Sequence, residues 1–236
     1  VQAEDNKRET ITLTDNVGRE VELECPVDTA VSALRYNNEL IRACGAIDHI
    51  ISVDLNTAQD REYWGMFDPE EVIGKSQKEL DYEKIVELDP EVVILPANGA
   101  YEEAIENLEP FGIPVFIISG YDTADFENQV KNIGTMFGTE EQAQKFYDYF
   151  DDKLEYINKQ LERCRKKKTL YRGTSDLTTI FPGDPMYNMV EYASADNIFS
   201  VDYENVNKGE VDPEEVIARN PDVIIKLVTP AQAMSG

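Results

Sequence analysis

The chain is poor in the residues that carry most protein chemistry: it has one histidine, three cysteines and one tryptophan in 236 residues, and 22 Lys and Arg against 47 Asp and Glu. Each shortage excludes something. A single histidine, His49, leaves little room for imidazole-based metal sites or proton relays, and its place beside Asp48 at a predicted helix-to-strand junction reads as structural. Cys25, Cys44 and Cys164 are odd in number and form no C-x-x-C pair, so neither a disulfide framework nor a zinc cluster is indicated. The formal net charge of −25 removes nucleic acid and anionic membranes as main partners, because both demand clustered cations. No apolar run approaches the ~20 residues that cross a bilayer. No two glycines stand at G-x-G spacing, and G-x-x-x-x-G-K-[ST], G-x-S-x-G and H-E-x-x-H are all missing. Nucleotide, lipase-type and zinc-protease readings lose their usual support, and no catalytic residue is assigned.

What is present is the composition of a folded protein, 42% hydrophobic and 9% aromatic. Residues 10–24 (TITLTDNVGREVELE) alternate apolar and polar side chains on both sides of Asp15-Asn16-Val17-Gly18, the pattern of a β-hairpin. Short apolar runs then predict strands at Val31–Leu34, Ile50–Val53, Val92–Leu95 and Val115–Ile118, separated by helices near 37–45, 82–88 and 100–110. Buried strands alternating with helices imply βαβ units around a mostly parallel sheet. From residue 122 the pattern changes. Phe126, Val130, Ile133 and Phe137 recur at helical spacing up to Gly138, and Thr139 with Gln142 matches a capping box. The helix it opens carries Phe146, Phe150, Leu154, Ile157 and Leu161 on one stripe. Helical from 140 to about 167, it would be ~42 Å long, ending in a basic run at Arg163, Arg165, Lys166, Lys167 and Lys168 that complements the helix dipole. Strands resume at Thr169–Arg172, Ile198–Val201 and Val223–Leu227, with helices near 185–193 and 212–219.

An internal repeat organises these elements. Leu80–Leu95 (LDYEKIVELDPEVVIL) and Val211–Lys226 (VDPEEVIARNPDVIIK) match at an offset of 131 residues, aligning Asp81 with Asp212, Glu83 with Glu214 and Pro90 with Pro221. A weaker echo pairs 44–54 (CGAIDHIISVD) with 193–202 (ASADNIFSVD). Two copies of one α/β unit on either side of a long helix predict two similar lobes: residues 1–121 with the opening hairpin, connecting helices over 122–168, and a second lobe over 169–236.

In open α/β sheets ligands bind beyond the carboxyl ends of the strands. The residues expected there are Arg35 and Tyr36, Trp64 in the loop after Ile50–Val53, Asn98, Tyr121, and in the second half Arg172 and Phe181. Arginine with aromatics suits a bulky anionic ligand held by planar hydrogen bonds and stacking. Arg35 leads, because residues 1–121 hold nine bases against 26 acids and this one directly follows a buried strand; a salt bridge to one of those acids is its competing role. For Trp64, packing within the lobe competes with ligand contact.

These segments together resemble the substrate-binding proteins of ABC importers for iron–siderophore, haem and cobalamin, the class whose lobes are joined by a helical backbone. ITLTDNVGREVEL is similar to that family's first hairpin and VSALRYNNELIRACGAIDHIISVD to its first strand–helix–strand. LDYEKIVELDPEVVILP and VDPEEVIARNPDVII are similar to its repeated segment, and FGIPVFII to the strand before the backbone helix. The resemblance implies an α/β fold of two Rossmann-like lobes, each a mostly parallel sheet flanked by helices, joined by one long helix, with the second lobe truncated at Gly236. It further implies an extracytoplasmic, monomeric solute-binding protein, not an enzyme, that captures an iron or cobalt chelate in the cleft between lobes and delivers it to an ABC permease. Glu83 and Glu214 match the positions at which the family docks permease arginines. No intrinsic cofactor, protein-ligated metal or nucleic acid is expected, and membrane association only through an anchor lost upstream of Val1. With one histidine, an intact chelate is favoured over direct His ligation, tyrosine ligation staying open. An extracellular ligand-sensing domain of the same fold is the alternative; a chelatase-like enzyme would need a base or phosphate loop that the sequence does not show.

Overall fold

The computed structural model describes residues 8–123, 125–162, 167–172, 178–180, 185–200 and 210–228. Its internal contacts divide the chain at Tyr149/Phe150, a point between the boundaries expected at 121/122 and 168/169.

The first unit opens with the hairpin of β1 (Glu9–Thr14) and β2 (Glu20–Cys25), paired antiparallel from Glu9↔Cys25 to Thr14↔Glu20. Leu13, Val21, Leu23 and Cys25 are buried while Glu20, Glu22 and Glu24 face water, so alternation alone orients the ribbon. Asp15 builds the turn, its carboxylate accepting from the backbone N–H of Val17 at 3.1 Å and Arg19 at 2.9 Å, with Gly18 at φ 82. The chain continues through β3 (Ala30–Ser32), α1 (Arg35–Ala43), β4 (Ile50–Val53), α2 (Leu55–Ala58), the short ribbon β5 (Gly74–Ser76) and β6 (Glu79–Leu80), α3 (Tyr82–Leu88), β7 (Val92–Leu95), α4 (Tyr101–Leu108) and β8 (Val115–Ile117). Four strands form one parallel sheet in the order β4-β3-β7-β8. Val31, Val93, Leu95, Val115 and Ile117 point to the face covered by Ile85 of α3 and by Ala104 and Leu108 of α4. Ile94 and Phe116, of opposite parity, are equally buried, which is why β7 reads as an unbroken apolar run. Each fully buried residue of β7 contributes about 2 kcal/mol of transfer free energy.

Helix α5 (Phe126–Phe137) belongs to this unit, and α6 (Glu140–Leu161) starts in it and runs past the division at Tyr149/Phe150. Gly138 at φ 67 ends α5, and a Cβ on Gly134 would sit 3.0 Å from that of Ala143, so small residues let the helices approach. The expected capping box is not formed: the Thr139 hydroxyl is buried without a partner, and Gln142 packs instead on Gly45, where a Cβ would meet its Cγ at 2.8 Å. With 22 residues, α6 is about 33 Å long rather than ~42 Å. Lys167 and Lys168 belong to the next strand, not to the helix end, while Arg163, Arg165 and Lys166 lie outside the described residues.

In the second unit, β9 (Lys167–Arg172), α7 (Pro185–Tyr192), β10 (Ala195–Asn197), α8 (Pro213–Arg219) and β11 (Val223–Lys226) follow in order, with a parallel sheet β10-β9-β11. The strand expected at Ile198–Val201 is displaced to Ala195–Asn197. Asn197 fixes that register: it is buried and donates through Nδ2 to the carbonyl of Ile180 at 2.7 Å and to Thr179 Oγ1 at 3.0 Å. The weaker echo therefore does not place its two copies alike. The strong repeat does. Asp81 and Asp212 both cap their helices, Asp89 (φ 45) and Asn220 (φ 48) both end them left-handed, and β7 and β11 both begin three residues later.

Candidate functional site

The strand order β4-β3-β7-β8 reverses between β3 and β7, and at such a switch point the loops leaving the carboxyl ends diverge and leave a crevice. Leu34, after β3, takes φ 82 and ψ 122, an unusual backbone for a residue with a Cβ. Its carbonyl accepts from Asn37 N–H at 3.0 Å and Asn38 N–H at 3.2 Å, starting α1. Arg35 and Tyr36 are thereby placed exposed on the first turn. Tyr36, 49% exposed, stands edge-on to Tyr121 from the turn after β8, ring centroids 6.4 Å apart. The two turns are stitched by Asn37, whose Oδ1 accepts from Gly120 N–H at 2.9 Å. Only glycine fits there, since a Cβ would lie 2.6 Å from the Tyr36 carbonyl oxygen. Ser119 joins the other loops: its N–H donates to Asn16 Oδ1 at 2.8 Å and Gln129 Oε1 at 3.0 Å, and its hydroxyl accepts from Ala97 N–H at 3.1 Å. Asn98 follows Ala97 and is exposed.

Arg35 has local partners, Asn56 O at 3.3 Å and Asp60 at 3.8 Å, so the salt bridge weighed against its ligand role exists, with a guanidinium that remains accessible. Trp64 is fully buried and packs near Phe67, offering no surface of its own. Its neighbour Tyr63, 50% exposed and edge-on to Trp64 at 4.9 Å, is the aromatic this loop presents. Arg42 clamps the pair, its guanidinium 4.7 Å from the Tyr63 ring and 4.6 Å from the Trp64 ring. Arg35, Glu39, Asp60, Glu62 and Tyr63 line one hollow of about 340 Å³. The first sheet thus brings Tyr36 and Tyr121 together, with Arg35 next to Tyr36 on α1 but directed to Asn56 and Asp60, and Asn98 on the loop after the adjoining strand. Arg172 ends β9, its side chain outside what the structure describes, and Phe181 lies outside the described residues.

Glu83 and Glu214 occupy one structural position, the exposed first turn of α3 and of α8. Their caps accept from Lys84 N–H at 3.0 Å and Glu214 N–H at 2.8 Å. Glu83 lines a broad hollow of about 740 Å³ with Leu55, Lys75, Glu79 and Tyr82. Burial, with the nearby Glu103 carboxylate, pushes the Tyr82 phenol up to about 12.

Among the described residues no group of three His, Cys, Asp or Glu could hold a metal ion, and no helix is long and apolar enough to cross a membrane. His49 packs 5.2 Å from Phe137 with Nδ1 3.3 Å from the Asp28 carbonyl oxygen, and Cys25 and Cys44 are buried free thiols.

Comparison with known proteins fits this architecture. A vitamin B12-binding protein of Vibrio parahaemolyticus is 23% identical over 216 residues, spanning 89% of this chain and 73% of that protein. The periplasmic vitamin B12-binding protein BtuF of Vibrio cholerae superposes with a TM-score of 0.72 at 17% identity, covering 89% of this chain and 80% of its own. The molybdate periplasmic binding protein MolA of Haemophilus influenzae, part of an ABC transporter system, gives 0.70 at 21%, covering 92% and 73%. These structural likenesses carry the two-lobed α/β fold. The pattern of the periplasmic binding protein family, whose members bind and transport solutes rather than transform them, matches residues 37–229, and the chain belongs to that family.

Proposed function

We propose that this chain is an extracytoplasmic solute-binding protein that captures a metal chelate at the carboxyl end of the β4-β3-β7-β8 sheet and delivers it to an ABC permease. The observation that carries this is the Tyr36–Tyr121 pair at the switch point, beside the hollow lined by Arg35 and Tyr63. Two exposed aromatic faces and a guanidinium recognise a flat or rigid ligand by stacking and hydrogen bonds, without a base or nucleophile to transform it. Asn98 contributes hydrogen bonds, and Trp64 acts from within by supporting Tyr63. Arg172 and Phe181 are proposed as contacts on sequence grounds alone.

The three carboxylates of Glu39, Asp60 and Glu62 around one guanidinium make the hollow net negative. That favours a neutral or cationic chelate over the polyanion that an arginine in isolation would suggest. Similarity to proteins that bind vitamin B12 supports a cobalt corrinoid as the first ligand to try. Titration with cyanocobalamin, haem, ferrichrome and molybdate, followed by absorbance or calorimetry, tests the proposal. Micromolar or tighter binding of one of them, weakened about tenfold by Arg35→Ala, is the expected result. A chain that binds none would favour the sensing domain.

A further inference from the structure

Beneath the proposed ligand end, one buried carboxylate ties together the segments that leave β3 and β4. Asp54 directly follows β4 and is 1% exposed. Its Oδ1 accepts from the backbone N–H of Leu34 at 2.9 Å and from the Thr57 hydroxyl at 2.7 Å, while Thr57 Oγ1 accepts from Asn38 Nδ2 at 3.2 Å. One side chain therefore fixes the turn that opens α1, the first turn of α2, and through Thr57 the second turn-forming asparagine of α1.

Leu34 is the residue this arrangement constrains most. At φ 82 it occupies backbone space that is strained for a residue with a Cβ. It caps α1 without a side-chain acceptor, and the first turn of α1 contains no acid of its own. Asp54, from the adjoining strand, supplies an acceptor for the Leu34 N–H and a carboxylate beside the start of the helix. Were the acceptor removed, Leu34 would relax toward negative φ, and the peptide carrying Arg35 and Tyr36 would turn with it.

We propose that Asp54 is a positioning residue for ligand recognition, holding Leu34 in its positive-φ conformation and so aiming Arg35 and Tyr36; this rests on the ligand site proposed above. A thermodynamic cycle on the whole chain tests it, with cyanocobalamin, haem and ferrichrome as probes. Asp54→Ala should weaken binding of the recognised probe about tenfold, and Asp54→Asn, which keeps an acceptor oxygen for the Leu34 N–H, should stay within about threefold of the wild type. The deciding value is the triple variant Asp54→Ala with Arg35→Ala and Tyr36→Ala, which should bind no more weakly than the Arg35→Ala, Tyr36→Ala pair. Losses that add would mean that Asp54 acts through general stability, and would overturn this inference while leaving the site intact. If Asp54→Ala does not fold, Asp54→Glu repeats the cycle, keeping the charge but moving the carboxylate one methylene away from Leu34. Wild-type protein that binds no probe would overturn the site itself, and the role of Asp54 with it.

Discussion

Cys44 shows what burial does to a single side chain. It is fully enclosed at the end of α1, and desolvation pushes its thiol up to about 12. At pH 8 about one copy in ten thousand carries the thiolate that reacts with alkylating agents. Iodoacetamide at that pH should leave Cys44 unmodified in the folded protein and label it fully in urea; rapid native labelling, read by mass spectrometry, would refute its burial. The same shift has a stability consequence. Below about pH 9 the thiol is neutral in both states, and between about 9 and 12 only the unfolded chain ionises, so this group lowers stability as pH rises through that window. Residue roles were only partly legible in the sequence. Arg35 could be found because it follows a buried strand, but its partner Asp60 comes from a loop 25 residues further on. Trp64 and Tyr63 are neighbours on an irregular turn, where no periodicity tells which ring faces water. Nothing in the order of residues announces that Asp54 reaches across to Leu34.

Elements were more legible than residues, because local chemistry sets their ends. The repeat holds position by position in cap, helix, left-handed stop and strand start. Replacing Asp81 or Asp212 by Ala should each cost about 1 kcal/mol, measured by urea unfolding, since each accepts a backbone N–H at a helix start. A loss at one site only would show that the copies are not capped alike. Where elements departed from expectation, tertiary contacts decided. Asn197 holds β10 to Ala195–Asn197 although Ile198 and Phe199 are the better strand formers, and α6 stops short because Lys167 and Lys168 pair into the sheet. Gly120 belongs to this scale as well. Gly120→Ala would press a Cβ against the Tyr36 carbonyl; unfolding should register a loss of about 1–3 kcal/mol, and a neutral result would mean that the turns after β3 and β8 can separate.

At the scale of the whole molecule, the duplicated glutamates carry the main functional expectation. A helix leading into a parallel strand runs antiparallel to it, so the amino-terminal turn of α3 lies at the same end of the sheet as the carboxyl end of β7. Docking through Glu83, as the resemblance implies, would present that end of the sheet to the permease. Reversing both charges, Glu83→Arg with Glu214→Arg, should abolish uptake in a reconstituted transporter assay and leave ligand affinity within about twofold of the wild type, because neither side chain belongs to the proposed ligand set. Normal uptake in that variant would remove both glutamates from the interface.

The repeat also sets two equivalent strands in opposite surroundings. β7 is buried at all four positions between β3 and β8, whereas β11 is exposed at all four and pairs, among the described residues, with β9 alone. Ile224, Ile225, Leu227 and Val228 are exposed among the described residues, so one apolar pattern serves two surroundings, and the pattern alone does not tell which copy of the repeat is covered.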